Sequence, residues 1–375
     1  MKNKKVIMIS AINLFQGGTL SIISDCLSFV NNSNYPNKYN IIALVHKKEL
    51  FDQETYSNIE FIEFPKSRTS YFYRLYYEYF YFNKLAKKIN IKFWLSLHDM
   101  TPSLQNIQQA VYCHNPSPFR KVILKDFLDQ PQLFFFTLFY RYLYKINIKK
   151  NDFVIVQQQW IKKEFINMFN LHQDKIIVAP PKIEEHKEHL EQEKIKNIEF
   201  SNNKVFFYPT LSRPFKNIEV ICEAAKLLIT KEINDFEIII TIDGKENNYA
   251  KRIVATYKDI KQIKFIGRIS REKVYEYYNI AHCLLFPSIL ETWGLPITEF
   301  KQFKKPIFIA DLPYAKETID GYNMVNYFNP TSSEQLCDLM ENLIKNNNVF
   351  SNSIKIEKTA PLAKNWDELF SILIN

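Results

Sequence analysis

The sequence predicts an α/β protein of two doubly wound domains, each a parallel sheet covered by helices on both faces. Three observations carry this expectation. A chain of 375 residues exceeds one ordinary hydrophobic core and suits about two domains. Short apolar runs rich in β-branched and aromatic residues alternate with helix-length segments along most of the chain, the order that builds parallel sheets. Between residues 180 and 203 the pattern yields to a charged, glycine-free stretch, "PPKIEEHKEHLEQEKIKNIEFSNN", and then restarts. The expected division is residues 1–180, a linker over 181–203, a second domain over 204–360 and a terminal helix over 361–375.

The elements follow in order. In the first half, strands are expected at 6–10 ("VIMIS"), 39–45, 59–64, 93–97, 110–113 and 153–157, where continuous apolar runs suit strands buried on both faces. Residues 71–88 read as a helix with Phe72, Leu75, Tyr79 and Phe82 facing the core. That register leaves Tyr73, Arg74, Tyr77, Tyr81 and Lys84 on the surface. In the second half, strands are expected at 204–209, 236–242, 263–267, 283–286 and 306–310. "APLAKNWDELFSILIN" closes the chain as an amphipathic helix carrying Trp366, Leu369, Phe370 and Leu373. No repeat is visible at the level of sequence identity.

Composition narrows the partners. A net charge of +9 and a pI near 9.0 point to an anionic partner, whether nucleotide, lipid head group or nucleic acid. Five scattered cysteines without a CxxC pair suit a reduced setting and no structural zinc. The start, "MKNKKVIMISAINLF", mimics a signal peptide but lacks a small-x-small cleavage site, and it reads better as a buried first strand. No apolar run approaches the roughly 18 residues of a spanning helix, so the chain is expected to be soluble or to lie on a membrane rather than cross it. Only 6 glycines occur where average usage gives roughly 26. Each is therefore expected to mark a place where a side chain is sterically intolerable.

Several features fall at expected strand ends, where open α/β sheets bind ligands. Gly17-Gly18 follows the first strand and lets backbone N–H groups approach a phosphate, although the full G-x-G-x-x-G fingerprint is absent and an ordinary turn reads equally well. Lys216, with Arg213 nearby, follows strand 204–209 and suits neutralisation of a departing diphosphate; a solvated loop lysine is the bland alternative. His98 and His114 each end a strand, the second in the polar company of Asn115 and Ser117. Asp243-Gly244 and Gly267-Arg268 end two more, and simple turns would account for those glycines. His186 and His189 suit a solvated linker helix better than a metal site.

The strongest signal is "FPSILETWGLPITEF", residues 286–300, in which Glu291 and Glu299 bracket Gly294, Leu295 and a helix start at Pro296. Two carboxylates beside a phosphate site are electrostatically poor unless they accept hydrogen bonds from neutral hydroxyls, such as those of sugar and ribose. The alternative is a surface glutamate plus one that favours the helix dipole.

This stretch resembles the E-x7-E signature of the retaining family-4 glycosyltransferases. "KVFFYPTLSRPFKN", "FIGRISREKVYEYYNIAHCLLFPS", "IADLPYAKETIDGYNMVNYFNP", the early Gly-Gly loop and the terminal helix are similar to them too. The likeness is strong after about residue 204 and diffuse before it. It implies the GT-B fold: two Rossmann-like domains facing a cleft, acceptor side first and nucleotide-sugar side second, with the C-terminal helix crossing back to the N-terminal domain. It implies transfer of a sugar from a nucleotide-diphosphate donor, with retention and without a metal, in keeping with the absence of a D-x-D motif. By resemblance Glu291 holds donor-sugar hydroxyls and Glu299 the ribose, while Lys216 and the Gly17-Gly18 backbone take the diphosphate. The base is met by backbone around Gly267 and Arg268, and His114 lies near the donor sugar. The catalytic set is thus Glu291, His114 and Lys216. The donor-binding set is Gly17, Gly18, Arg213, Gly267, Arg268, Gly294, Leu295 and Glu299, and His98 and Asn115 face acceptor or sugar. Relatives commonly carry a G-R pair where this chain reads Pro209-Thr210-Leu211, so Arg213 is the candidate substitute, and Trp293 replaces a usual phenylalanine.

The basic, aromatic stretches 71–88 and 119–150 suit a membrane interface or, equally, core helices of a tyrosine-rich chain. The expected partners are a UDP-sugar, or a GDP-sugar, and a glycan or lipid-linked acceptor of bacterial surface polysaccharide. An anionic membrane surface is the further partner, with the chain cytoplasmic and peripheral on the inner face. No cofactor and no nucleic acid are expected, since no nucleic-acid motif occurs. A catalytically silent partner subunit and a nucleotide-sugar epimerase are the alternatives.

Overall fold

Two parallel sheets organise the chain. The computed structural model describes residues 4–15, 17–119, 131–182, 203–347, 349–351 and 354–374. Unit 1 comprises Met1–Phe119, Phe139–Lys182 and Lys358–Asn375, and unit 2 comprises Arg120–Leu138 and Ile183–Glu357. Most of the charged stretch expected as a linker, with His186 and His189, lies outside the described residues.

The sheet of unit 1 contains β1 (Val6–Ala11), β2 (Asn40–Val45), β3 (Ile59–Glu63), β4 (Ile91–Ser96), β5 (Gln108–Tyr112), β6 (Phe153–Val156) and β7 (Ile176–Val178), in the order β3-β2-β1-β4-β5-β6-β7. Unit 2 contains β8 (Lys204–Tyr208), β9 (Phe236–Ile240), β10 (Ile263–Phe265), β11 (Cys283–Phe286), β12 (Ile307–Ala310) and β13 (Val325–Phe328), in the order β10-β9-β8-β11-β12-β13. Every strand pair is parallel. Both orders are doubly wound, with the switch between β1 and β4 in unit 1 and between β8 and β11 in unit 2. The sequence reading lacked β7 and β13. The first is three residues long, and the second, "VNYF", places Asn326 inside a short run, too little signal for a strand.

The local reasons are plain. All six residues of β1 are buried, as a central strand with both faces covered requires. The helix Gly17–Asn32 buries Ile23, Cys26, Leu27 and Val30, one stripe at helical spacing. The terminal helix Trp366–Leu373 packs Leu369, Phe370 and Leu373 into the core of unit 1. All five cysteines are buried and free. Among the described residues no helix is long and apolar enough to cross a membrane.

Residues 71–88 correct the sequence reading. They form an α-helix Tyr71–Tyr76, a π-helical stretch Tyr77–Tyr81 and an α-helix Phe82–Ala86. The buried positions are Arg74, Glu78, Phe82 and Ala86, whereas Phe72, expected in the core, is 83% exposed. The wider π turn advances the inward face by four residues instead of 3.6. Two charged side chains then occupy the inside because His98 receives them. Arg74 Nη2 donates to the His98 carbonyl at 3.1 Å, and Glu78 Oε1 lies 3.0 Å from His98 Nε2.

Candidate functional site

In unit 2 the loops leaving β8 and β11 flank the switch point of the sheet. After β8 the chain forms a 3-10 turn, Pro214–Lys216, passes Asn217 at φ 55° and starts the helix Ile218–Thr230. After β11 it runs through Glu291 to Gly294 and into the helix Leu295–Lys301, with Pro296 in the first turn. Backbone groups stitch the two loops together. The Phe215 carbonyl accepts from Ile289 N at 2.8 Å and from Ser288 Oγ at 3.2 Å, and Asn217 Nδ2 donates to the Pro287 carbonyl at 3.3 Å. From below, Tyr208 OH donates to the Lys216 carbonyl at 2.8 Å and Tyr314 OH to the Ser288 carbonyl at 2.6 Å.

This stitching brings Lys216 and Glu291 together as an ion pair between Nζ and Oε1, with the two side chains 17% and 14% exposed. Glu299 is neutralised separately. Its Oε1 lies 3.4 Å from Arg271 Nη2, and its Oε2 accepts from Tyr278 OH at 3.0 Å. The electrostatic difficulty raised by two neighbouring carboxylates thus has a structural answer: each has its own cation. Burial pushes the phenols of Tyr208 and Tyr314 well up, and the charge of Glu291 adds to it; burial and Glu299 do the same to Tyr278. All three hydroxyls therefore stay protonated as donors.

Gly294 sits at φ 81°, and a Cβ there would lie 2.7 Å from Ile297 Cδ1. Leu295 follows it as the first helical residue. Gly267, at φ 72°, donates its N–H to the Ile242 carbonyl at 3.1 Å beyond β10, next to an exposed Arg268. Arg213 is exposed at the start of the 3-10 turn. Every one of these loops leaves the same edge of the sheet, because all six strands are parallel.

In unit 1 the corresponding edge carries Gly17, Gly18, His98, His114 and Asn115. Gly17 opens its helix at φ 60°, where an added Cβ would meet nothing within 4 Å. Its requirement is therefore conformational, and the expectation of crowding at every glycine is corrected here. His98 is 1% exposed, with Nε2 3.1 Å from Ser10 Oγ on β1. Its ring is turned inward between β1 and the Arg74–Glu78 face. His114 Nε2 donates to the Leu97 carbonyl, and burial, the largest influence, lowers its pKa.

The sequence reading missed Asp99, which organises this edge. Its Oδ1 accepts from the His114 backbone N–H at 2.6 Å and Tyr144 OH at 2.8 Å, and its Oδ2 from Tyr140 OH at 2.6 Å. Burial by itself raises the Asp99 carboxyl; the His114 ring and these hydrogen bonds outweigh it and hold the group below its ordinary value. The signal lay in "LHDM", an acid directly after a strand-end histidine. Tyr140 and Tyr144, four residues apart on the helix Pro131–Lys145, gave no such hint among so many tyrosines. Arg271 and Tyr278, which hold Glu299, were equally invisible.

Comparison with known proteins agrees with the fold. The family model described as "Glycosyl transferases group 1" matches residues 172–360, just over half the chain. The O-antigen chain mannosyltransferase RfbU of Salmonella typhimurium is 24% identical over 273 residues, covering 71% of this chain and 70% of that protein. A glycosyltransferase from Rickettsia africae superposes with a TM-score of 0.62 at 17% identity, over 90% of this chain and 88% of the other. HepE of Anabaena in complex with UDP-glucose superposes at 0.60 and 12% identity, over 91% and 90%.

Proposed function

The chain belongs to the glycosyl transferases group 1 family, with its two-domain GT-B fold, and we propose that it moves a sugar from a nucleoside diphosphate to a glycan with retention of anomeric configuration. The observation that carries this reading is the Lys216–Glu291 pair at the switch point of unit 2. An ammonium held by a carboxylate is in position to neutralise charge developing on a leaving diphosphate. Glu291, its charge offset by Lys216, accepts from hydroxyls of the donor sugar. Glu299, oriented by Tyr278 and Arg271, accepts from the ribose, and Gly267 and Arg268 meet the base. Arg213 supplements the positive charge, and the backbone of Gly294 and Leu295 approaches the diphosphate.

Transfer on one face of the sugar lets the departing phosphate take the proton of the incoming hydroxyl, so the protein has mainly to orient both substrates and stabilise charge. No metal is needed for these roles in this reading, because Lys216 supplies the cation. From unit 1, Gly17 and Gly18 offer backbone N–H groups, and His114 and Asn115 serve the sugar and acceptor. His98, being buried, positions that edge.

A UDP-sugar is the favoured donor, supported by the UDP-glucose bound in HepE, with a GDP-sugar as the alternative. Surface polysaccharide is the favoured product class, supported by the O-antigen role named for RfbU and the lipopolysaccharide outer core role named for the galactosyltransferase WaaB. The acceptor side works at the cytoplasmic face of an anionic membrane. Phe72 and Phe80, 83% and 63% exposed, stand with Tyr71, Tyr73 and Tyr76 on one helical segment beside Lys84, an amphipathic surface of aromatic rings and cations.

The test is a nucleotide panel by thermal shift followed by product analysis with and without glycan acceptors. A ligand at 100 times its Kd adds about 2.7 kcal/mol to stability. Product only with acceptor, in the donor's anomeric configuration, supports transfer. Epimerised donor without acceptor, or no binding at all, replaces it with epimerase or silent-subunit function.

A further inference from the structure

Unit 1 holds a cavity of about 770 Å³ in which neither the proposed donor nor any residue named for catalysis takes part. It forms where the second half of the helix Gly17–Asn32, the short helix Tyr35–Lys38 and the terminal helix Trp366–Leu373 meet. Tyr35, Lys38 and Tyr39 immediately precede β2 at the amino ends of the strands, whereas Lys182 follows β7 and Trp366 packs on Tyr112, at 6.1 Å, at the carboxyl end of β5. The cavity therefore runs along the helix layer toward the edge that carries His114, whose ring lies 4.5 Å from that of Tyr112.

The wall has an aromatic part and a polar part. Tyr35 and Tyr39 are stacked with centroids 6.5 Å apart, and Tyr35 and Trp366 both pack on Phe370, at 5.4 and 6.2 Å. The half-buried Trp366 and both tyrosines line the cavity beside Asp25, Asp367 and the amides Asn32, Asn34 and Asn365. Burial, and after it the nearby Asp367 carboxylate, raises the Tyr35 phenol, which keeps that hydroxyl a donor.

The size falls within the roughly 300–1,000 Å³ of small-molecule sites. The charges choose the ligand class. Asp25 and Asp367 are balanced by Lys38 and Lys182, so the wall carries no excess of cations for a nucleotide or other polyanion, although the whole chain is at +9. Carboxylates and amides spread among the rings equally disfavour an acyl chain. Neutral, many-hydroxylated molecules remain. Their C–H faces lie on aromatic rings, and their hydroxyls find both acceptors and donors in carboxylates and amides.

We propose that this cavity is a second carbohydrate site, which holds a neutral oligosaccharide along the helix layer of unit 1, outside the residues named for catalysis. Its use, to retain a growing or acceptor glycan between transfers, rests on the function proposed above; the binding itself does not.

Calorimetric titration with α-mannotetraose and with maltotetraose tests it, using the full chain and the folded variants Asp367→Asn and Trp366→Phe. The expected result is saturable binding of at least one probe, weakened about tenfold by Asp367→Asn through loss of a charged hydrogen-bond partner. Absence of binding by both probes, or equal affinity in the original chain and both variants, overturns the proposal. Thermal shifts with UDP and GDP in the same preparations separate the two readings. Nucleotide binding without oligosaccharide binding removes only the second site. Oligosaccharide binding without nucleotide binding leaves the cavity assigned and removes the transferase.

Discussion

Lys216 and Glu291 stand 75 residues apart in sequence and meet as an ion pair above the point where the sheet of unit 2 reverses its strand order. Neither belongs to a strand. Their meeting depends on the Phe215 carbonyl, which binds the loop after β11 through Ser288 and Ile289. The pair explains how an acidic loop sits beside a lysine at the switch point, because the ammonium offsets the carboxylate; in the function proposed above, a diphosphate would compete for that ammonium.

Substituting either member is expected to remove transfer with the fold intact. Lys216→Ala and Glu291→Gln should each lower kcat by about 10²–10³-fold. The double variant should lose less than the product of the two, since both groups act in one unit. Steady-state kinetics on samples of matched circular dichroism checks this, and wild-type turnover in either single variant refutes the assignment.

Gly294 and Gly17 should respond differently to alanine. Both sit at positive φ, which costs a non-glycine residue about 1–2 kcal/mol. At Gly294 the new methyl also lies 2.7 Å from Ile297 Cδ1, so that fully buried side chain must leave its packed position. Denaturant unfolding should show a clearly larger loss for Gly294→Ala than for Gly17→Ala; equal losses count against the steric account.

Asp99 predicts an acid dependence of stability. Its folded carboxyl lies below the ordinary value of 3.8, so the ionised form stabilises the fold. That contribution is complete above the unfolded value and is lost as pH falls through the folded one. Asp99→Asn should therefore unfold at lower temperature than the original chain near neutrality, and the gap should close below about pH 4. Melting curves from pH 3 to pH 7 decide, and a constant gap contradicts the role given to this carboxylate.

The exposed rings of residues 71–81 predict membrane contact. Co-sedimentation with anionic vesicles at low salt should be strong for the original chain and largely lost in the double variant Phe72→Ser, Phe80→Ser. Raising the salt should weaken it, because screening shortens the reach of the basic side chains. Vesicle binding that ignores both changes rules this surface out.

The sequence reading went furthest where each residue's role depends on its near neighbours. Among the described residues, eleven of the thirteen strands were visible as apolar runs, because a strand buried on both faces needs little else. The motif from Phe286 to Phe300 located the loop after β11, its glycine and its helix start, because proline and glycine impose backbone geometry locally. At 71–88 the expected inner stripe holds at Phe82 and fails at its start, where Phe72 faces out and Arg74 faces in, since Arg74 and Glu78 answer to His98, a partner about twenty residues away.

The sequence by itself determined the two parallel sheets, the strand-end positions of Lys216, Glu291, His98 and His114, and the family likeness. Tertiary structure alone decided the pairings: Lys216 with Glu291, Glu299 with Arg271 and Tyr278, and Asp99 with Tyr140, Tyr144 and the His114 amide. The physical reason is range. Hydrophobic periodicity and turn geometry are written within a few consecutive residues, whereas a charge or hydroxyl acquires its function from whichever distant group the fold sets within hydrogen-bond reach.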